Sequence, residues 1–155
     1  MRARIELADD NSPEEVIISC RQITPEIEAL LHTIERFDTG RQQLTYFRGD
    51  EQYYLSLREI LFFETEADHV YAHTVDQSYE VRMRLYELET TLPGYFVRAS
   101  RSSIISIMHV FSVQKGLTGL SLLSFRDSHK EIYCSRMYGK ELMRKLNERY
   151  IYENR

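Results

Sequence analysis

Residues 96–107 read FVRASRSSIISI. Apolar residues at both ends bracket a polar centre, and both apolar runs are built from residue types that favour β-strands. The polar centre contains two arginines and three serines, which are Arg98, Ser100, Arg101, Ser102 and Ser103. A short polar stretch between two such runs is typical of a turn. We therefore predict a loop between two strands, with guanidinium and hydroxyl groups presented at that loop.

Short strand signals separated by turns continue along most of the chain from residue 42 onward. They occur at LTYF (44–47), YYLSL (53–57), ILFFET (60–65), HVYAHT (69–74), YEVRM (79–83), HVFSVQ (109–114), LSLLSF (120–125) and EIYCS (131–135). The first two flank RGDEQ, a hairpin turn built around Gly49 and Asp50. Closely spaced short strands joined by hairpins favour antiparallel sheets over a parallel α/β plan. The predicted fold class is mainly β with short helices, α+β overall.

Two helices are predicted within this region. In MRLYELETTLPG (83–94), the residues Leu85, Leu88 and Leu92 fall on one side, and Pro93-Gly94 ends the helical pattern. A final helix follows Ser135, which we expect to cap it. That helix carries Leu142, Leu146 and Tyr150 at four-residue spacing, as expected for one apolar face.

The first 41 residues are predicted to form a separate β-β-α extension, followed by the main domain at 42–155. Ile5 and Leu7 alternate with charged residues, DDNSPEE (9–15) supplies turn chemistry, and EVIISCR (15–21) is rich in β-formers. A helix then begins with Thr24 as N-cap and Pro25 in the first position, and Gly40 is its expected end. The helix has an apolar stripe at Ile27, Leu30, Leu31 and Ile34. That stripe packs either on the main domain or on a second copy of the chain.

Charge is distributed unevenly along the chain. The net charge is −4, but residues 1–94 carry 9 Lys/Arg against 19 Asp/Glu, and residues 95–155 carry 11 against 5. A chain polarised in this way can present one basic face although its net charge is negative. The sequence contains no apolar run of membrane-spanning length and no signal-peptide pattern, and Cys20 and Cys134 lack disulfide-framework spacing. These features predict a cytoplasmic protein.

Candidate catalytic and metal-binding motifs do not assemble into a constellation. His69 and His73 have the i, i+4 spacing of a helical zinc pair, but HVYAH reads as a strand, where that spacing separates the rings by about 13 Å. Ser112 and Lys115 match a serine–lysine spacing, yet Gly116 follows and the surroundings indicate a hairpin instead of a helix start. We predict no enzyme activity, no metal and no cofactor.

Hydroxyl and guanidinium groups recur where predicted elements meet. Arg101, Ser102 and Ser103 lie where one predicted element ends and another begins, and Ser135 and Arg136 lie at the start of the last helix. Hydroxyls, helix-start amides and arginines at such junctions suit contact with phosphate. The alternative is that the serines only cap and turn the chain while the arginines face solvent.

Three segments together resemble the LytTR family of bacterial DNA-binding domains. They are LSLREILFFETEADHVYAHT (55–74), LYELETTLPGYFVRASRSSIISIMHV (85–110) and EIYCSRMYGKELMRKL (131–146). The chain keeps the family pattern at Leu92, Pro93, Phe96, Arg98, Arg101, Ser102, Ser135, Arg136 and Tyr138. It departs from the pattern at Ser100 where many members have His, at Ser106 where many have Asn, and at Cys134 in place of Val.

The resemblance implies compact antiparallel sheets and duplex DNA recognition through loops that enter the major groove and bend the DNA. The three loops implied are those near Asp68 and His69, at residues 100–103, and at the start of the last helix. The implied DNA-binding residues are His69, Arg98, Ser100, Arg101, Ser102, Ser103, Ser135, Arg136, Tyr138 and Lys140. Arg101 is the expected base reader. Paired direct-repeat sites, common in the family, imply a homodimer on DNA.

The resemblance also bears on regulation. Many members are response regulators with a phosphoacceptor receiver domain, which 41 residues cannot hold. We therefore expect an input other than aspartyl phosphorylation on this chain, and a small membrane regulatory protein is the partner that similar stand-alone regulators imply. The extension is the candidate site for dimerisation or for docking that partner. An alternative from another class is a protein-interaction module whose basic half binds an acidic partner without recognising DNA.

Overall fold

Residues 96–107 form the strand–turn–strand unit that their pattern predicts. In the computed structural model, which describes residues 4–7, 15–39 and 44–153, strand Phe96–Ser100 pairs antiparallel with Ser103–Ser106. Arg101 and Ser102 form the turn between them. The register shifts between Arg98 and Ser100. Such a bulge re-aims the side chains beside it.

The elements of the described residues follow one another in short segments. They are α1 (Pro25–Thr39), β1 (Tyr46–Arg48), β2 (Glu51–Tyr53), β3 (Phe62–Glu66), β4 (His69–His73), β5 (Ser78–Val81), α2 (Leu85–Thr91), β6 (Phe96–Ser100), β7 (Ser103–Ser106), β8 (Val110–Lys115), β9 (Ser121–Phe125), β10 (Glu131–Cys134), α3 (Arg136–Asn147) and α4 (Tyr150–Glu153). Single 3₁₀ turns occur at Leu57–Glu59 and Ile107–His109. None of the helices in these ranges has the length and hydropathy that a bilayer crossing requires.

The strands form two antiparallel sheets, which confirms the predicted fold class. Seven strands are ordered β2-β1-β5-β4-β3-β7-β6, and three are ordered β10-β9-β8. The predicted strand at 53–57 is wrong over most of its length, because β2 ends at Tyr53. Ser56 instead caps a 3₁₀ turn together with Glu59, and this capping box satisfies the backbone locally.

The seven-stranded sheet has an apolar layer on each of its two faces. Phe62 and Phe63 are neighbours on β3 and point to opposite faces because side chains alternate along a strand. Phe62 lies 5.3 Å from Phe125 of the smaller sheet, measured between ring centroids, and Phe63 lies 5.6 Å from Phe96. Helix α2 buries Leu85 and Leu88 as its period predicts, and α3 buries Leu142. Strand β3 therefore lies between the two apolar layers.

Hydrogen bonds join the two sheets at the end where β4 meets β5. The Lys130 ammonium donates to the Gln77 carbonyl at 2.6 Å, and the Ser128 hydroxyl donates to the Val75 carbonyl at 2.7 Å. Both carbonyls belong to the turn after β4, and both donors belong to the turn between β9 and β10. These contacts fix the smaller sheet against the larger one.

The N-terminal extension differs in part from its prediction. Helix α1 begins at Pro25, and the Ile27 amide donates to the Thr24 hydroxyl at 3.4 Å, as the cap signal predicts. Residues 4–7 and 15–20 are not strands. Ile5 is 94% exposed, and a β pattern without an adjacent strand leaves the backbone unpaired. Residues 9–14 of the predicted turn and the expected boundary between residues 41 and 42 lie outside the described residues.

Gly139 offers a direct test of helix propensity in α3. A Cβ added at this position meets no atom within 4 Å, and glycine in a helix interior is roughly 1 kcal/mol less favourable than alanine. We expect Gly139→Ala to stabilise the protein by about 0.5–1 kcal/mol, read as a higher urea midpoint. Gly49→Ala is the control with the opposite sign, because Gly49 has φ of +62°. An unchanged urea midpoint for Gly139→Ala would show that the glycine does not lower the stability of α3.

Candidate nucleic-acid interface

Four turns of the chain gather at one end of the seven-stranded sheet. Glu64 of β3 pairs with Ser103 of β7, and the Thr65 amide donates to the Ser102 carbonyl at 2.8 Å. The β3–β4 turn and the β6–β7 turn are therefore neighbours. The Ser135 amide donates to the Ala99 carbonyl at 2.8 Å, which brings the start of α3 to the same end. The β8–β9 hairpin joins them because Ser121 pairs with Cys134.

Arg98 holds the β6–β7 turn from inside. Its Nε donates to the Ser100 carbonyl at 2.7 Å, and its Nη2 donates to the Arg101 carbonyl at 2.5 Å. Its Nη1 donates to the Glu89 carboxylate at 2.9 Å. All three guanidinium nitrogens thus serve the fold, and the side chain is only 16% exposed. The structure gives Arg98 the role of shaping the turn, which differs from the DNA contact expected of it.

The serines of the turn divide into a buried and an exposed set. The Ser100 hydroxyl lies 2.8 Å from that of Ser103 and 3.2 Å from that of Ser102. Ser103 is 1% exposed, so its hydroxyl faces the interior of the fold, whereas the sequence led us to expect a DNA contact. Ser102 and Arg101 are exposed at the tip. The internal bonds of Ser100 fix the direction in which that tip points.

The start of α3 presents polar groups to solvent. Ser135 precedes the helix with extended backbone, and its hydroxyl makes no capping hydrogen bond. It therefore does not fill the capping role predicted for its side chain. The first turn of α3 contains no acidic residue, and its amides carry the positive end of the helix dipole. Arg136 and Lys140 are exposed, whereas Tyr138 is half-buried against the core. Tyr138 therefore supports the helix more than it extends the surface.

The polar groups of the β6–β7 turn and of the start of α3 make one candidate surface, in which Ser135 is half-buried and the other members are exposed. We call Arg101, Ser102, Ser135, Arg136 and Lys140 the turn surface. Its members come from segments more than 30 residues apart in the sequence. A basic, hydroxyl-bearing surface of this kind can bind phosphates along a backbone, and a projecting arginine can reach a base edge.

The β3–β4 turn lies beside the turn surface but has a different character. Ala67 and Asp68 adopt left-handed backbone with φ of 46° and 66°, which suits a tight hairpin. The His69 ring lies 3.2 Å from the Glu80 carboxylate, measured from Nδ1. The pKa of Glu64 is raised, mainly by burial and to a lesser extent by the neighbouring Glu66 carboxylate. His69 therefore sits among carboxylates, which repel phosphate.

Glu64, Glu66 and His73 form a compact group behind this turn. One ligand atom from each lies within 4.8 Å of the others, and His73 Nε2 is buried without a hydrogen-bond partner. The Lys130 ammonium lies 3.3 Å from His73 Nδ1 and can only donate. That contact leaves the ring proton of neutral His73 on Nε2, which then has no lone pair for a metal. The arrangement fits a metal poorly.

His73 should make stability depend on pH. Burial, followed by the Lys130 charge, lowers the pKa of His73 to about 4, whereas an unfolded histidine titrates near 6.5. The unfolded chain therefore binds more protons between these values. We expect stability to fall as pH drops from about 6.5 to 4, by roughly 1–2 kcal/mol given the partial exposure of the ring.

Urea unfolding at several pH values measures this dependence. His73→Gln should flatten the profile, whereas replacing the exposed His129 in the same way should leave it unchanged. Glu64 changes stability in the opposite direction. Because its pKa is raised, the folded chain binds a proton at Glu64 more readily than the unfolded chain does, and this contribution increases stability as pH falls. The difference between wild type and His73→Gln isolates the histidine. If stability changed with pH in the same way in wild type and in His73→Gln, His73 would not be the source of the pH dependence.

The β8–β9 hairpin is the part of this end that sequence reasoning missed. Its tip contains Lys115, Leu117 and Gly119, all exposed, and the glycine approaches the Arg136 side chain. The signal available in the sequence was KGLTG, a basic turn in the basic half. The pattern indicates a turn and no more, because nothing local shows that the hairpin lies against α3.

Known proteins similar to this chain are DNA-binding domains and transcriptional regulators. The family model described as the LytTr DNA-binding domain matches residues 50–147. An uncharacterized HTH-type transcriptional regulator of Staphylococcus aureus (strain NCTC 8325 / PS 47) is 25% identical over 130 residues, covering 84% of this chain and 87% of that protein. Its counterpart in strain MRSA252 is 24% identical over the same length.

A solved structure shares the fold. It is the LytTr DNA-binding domain of a protein from Bacillus cereus described as a methyl-accepting/DNA response regulator. The TM-score is 0.62 at 20% identity, with 68% of this chain and 97% of that chain covered. At this identity the likeness supports the fold alone.

Proposed function

Because this chain belongs to the LytTr DNA-binding domain family, a DNA-binding family and not an enzyme family, we propose that it regulates transcription by binding duplex DNA through the turn surface. The observation that carries the proposal is the convergence of Arg101, Ser135 and Arg136 at one end of the sheet, fixed by the Ser135–Ala99 hydrogen bond. The regulator names of the Staphylococcus aureus relatives support the regulatory role.

Each group of the turn surface has a chemical role in this proposal. Ser102 and Ser135 hydroxyls and the first amides of α3 bind phosphate oxygens, and Arg136 and Lys140 add charge. Arg101 projects from the turn tip, and the described residues provide no hydrogen bond or ion pair to its guanidinium. It is therefore free to pair with guanine O6 and N7 in the major groove. Arg98 and Ser103 act indirectly, by shaping the turn.

We infer that two copies bind paired direct repeats in the cytoplasm, with residues 1–41 joining the copies or docking a small membrane regulatory protein. The exposed apolar side chains of Ile5, Leu7, Val16 and Ile17 support a partner for this extension. The charge distribution supports the same division, because the extension is acidic whereas the turn surface is basic.

Selection from a pool of random duplexes tests the function. The purified chain is mixed with the pool at low salt, bound DNA is recovered through several rounds, and the enriched sequence is measured by gel retardation at increasing salt. We expect one enriched motif, occurring as a repeat, with affinity falling steeply as salt rises because bound phosphates release counterions. Recovery of no motif would contradict sequence-specific recognition.

A further inference from the structure

The turn of the β8–β9 hairpin has a backbone shape that favours glycine. The Gly116 amide donates to the Leu120 carbonyl at 2.7 Å and closes the turn. Gly119 adopts φ of +86°, in the left-handed region that side chains disfavour. This conformation alone accounts for a glycine, so a role beyond the turn requires a separate observation.

A contact with Arg136 supplies that observation. A Cβ built on Gly119 lies 3.0 Å from Cδ, 3.2 Å from Cγ and 3.5 Å from Cβ of Arg136. The hairpin backbone therefore lies directly against the aliphatic stem of this arginine, and a methyl group at residue 119 would require the stem to shift by a few tenths of an ångström. Gly49 is a useful contrast, because it has φ of +62° but no atom within 4 Å of an added Cβ.

We infer that Gly119 is a positioning residue for DNA recognition, holding the Arg136 stem so that its guanidinium projects from the first turn of α3. The inference rests on the proposed function. It adds a residue that strengthens DNA binding without touching the DNA itself. An arginine held before binding loses less rotamer freedom when it grips a phosphate or a base. The β8–β9 hairpin thereby becomes the second support of the turn surface, beside the Arg98 contacts that shape the β6–β7 turn.

Paired glycine variants test this inference. Gly119→Ala and Gly49→Ala impose the same kind of left-handed backbone strain, but only the first displaces Arg136. The register of β1 with β5 and of β5 with β4 places the Gly49 turn at the opposite end of the large sheet. We expect Gly119→Ala to weaken binding to the selected duplex about 2- to 10-fold, and Gly49→Ala by less than about 2-fold.

A double-mutant cycle with Arg136→Ala shows whether the effect passes through the arginine. We expect Gly119→Ala to change affinity by less than about 2-fold when Arg136 is already alanine. Arg136→Ala should also reduce the slope of log affinity against log salt by about 1, a readout that fold stability alone does not move. Gly119→Asn is the second variant if Gly119→Ala does not fold, because asparagine tolerates left-handed backbone better and carries the same Cβ.

The outcomes separate the two proposals. If Arg136→Ala weakens binding but Gly119→Ala equals Gly49→Ala, the positioning role is wrong while DNA recognition stands. The same conclusion follows if Gly119→Ala has an undiminished effect in the Arg136→Ala background. If Arg136→Ala leaves affinity and salt slope unchanged while the duplex is still bound, Arg136 makes no contact and the positioning role is again wrong. Failure of every variant and of wild type to bind duplex DNA overturns the function itself.

Discussion

Arg101→Ala is expected to weaken binding to the selected duplex about 5- to 150-fold, corresponding to roughly 1–3 kcal/mol for a bidentate contact with guanine. The side chain projects from the tip of the β6–β7 turn, and it is exposed. Its removal should leave the free energy of unfolding within about 0.5 kcal/mol of wild type. Loss of binding without loss of stability is the signature of a recognition residue.

Competition binding measures the Arg101 effect on the selected duplex and on duplexes with single base changes. The variant should lose discrimination mainly at one base pair, whereas a phosphate contact would weaken binding to all sequences equally. Arg48→Ala is the matched control, since Arg48 is exposed on the β1–β2 hairpin away from the turn surface. Wild-type affinity and selectivity after Arg101→Ala would show that another group reads the base.

Phe63→Ala is expected to destabilise the protein by about 3–5 kcal/mol. Phe63 is 0% exposed and lies on β3, which pairs with β4 on one side and β7 on the other. Truncation there removes buried apolar area and leaves a cavity beneath the strand that anchors the turn surface. Since domains of this kind have free energies of unfolding of about 5–15 kcal/mol, the substitution should remove a large part of the protein's stability.

Urea unfolding followed by circular dichroism measures this loss. Phe111→Ala is the control with the same chemical change, because Phe111 is 69% exposed and its truncation should cost less than about 1 kcal/mol. Equal midpoints for the two variants would mean that the core does not centre on β3. Saturating DNA should raise the Phe63→Ala midpoint, because a ligand that binds the folded state stabilises it.

Arg98 and Arg101 show how similar side chains three residues apart acquire different roles. The register shift between Arg98 and Ser100 turns the Arg98 guanidinium toward the carbonyls of its own turn. Arg101 is past the last paired residue and points outward. The sequence pattern groups the two arginines together, and only the bulge and the paired strand assign one to the fold and the other to the surface.

The failed strand prediction at residues 4–7 and 15–20 has a related cause. Alternation of apolar residues is a local signal, and it shows that one face of a segment is suited to burial. A strand also requires a neighbour whose backbone accepts its hydrogen bonds, and that neighbour is distant in sequence. The segment carries the pattern, but none of the strands in the described residues lies beside it.

The order of strands and turns from residue 60 onward and the apolar face of α2 follow from the sequence alone, since each depends on residues within about ten positions of one another. The basic half of the chain also follows from the sequence, as a sum of charges over residues 95–155. The burial of Ser103, the Arg98 contacts and the approach of Gly119 to Arg136 follow only from tertiary structure. The physical reason is that pairing between distant strands decides which turns become neighbours. A side chain's exposure and its hydrogen-bond partners are set by those neighbours, not by its own sequence context.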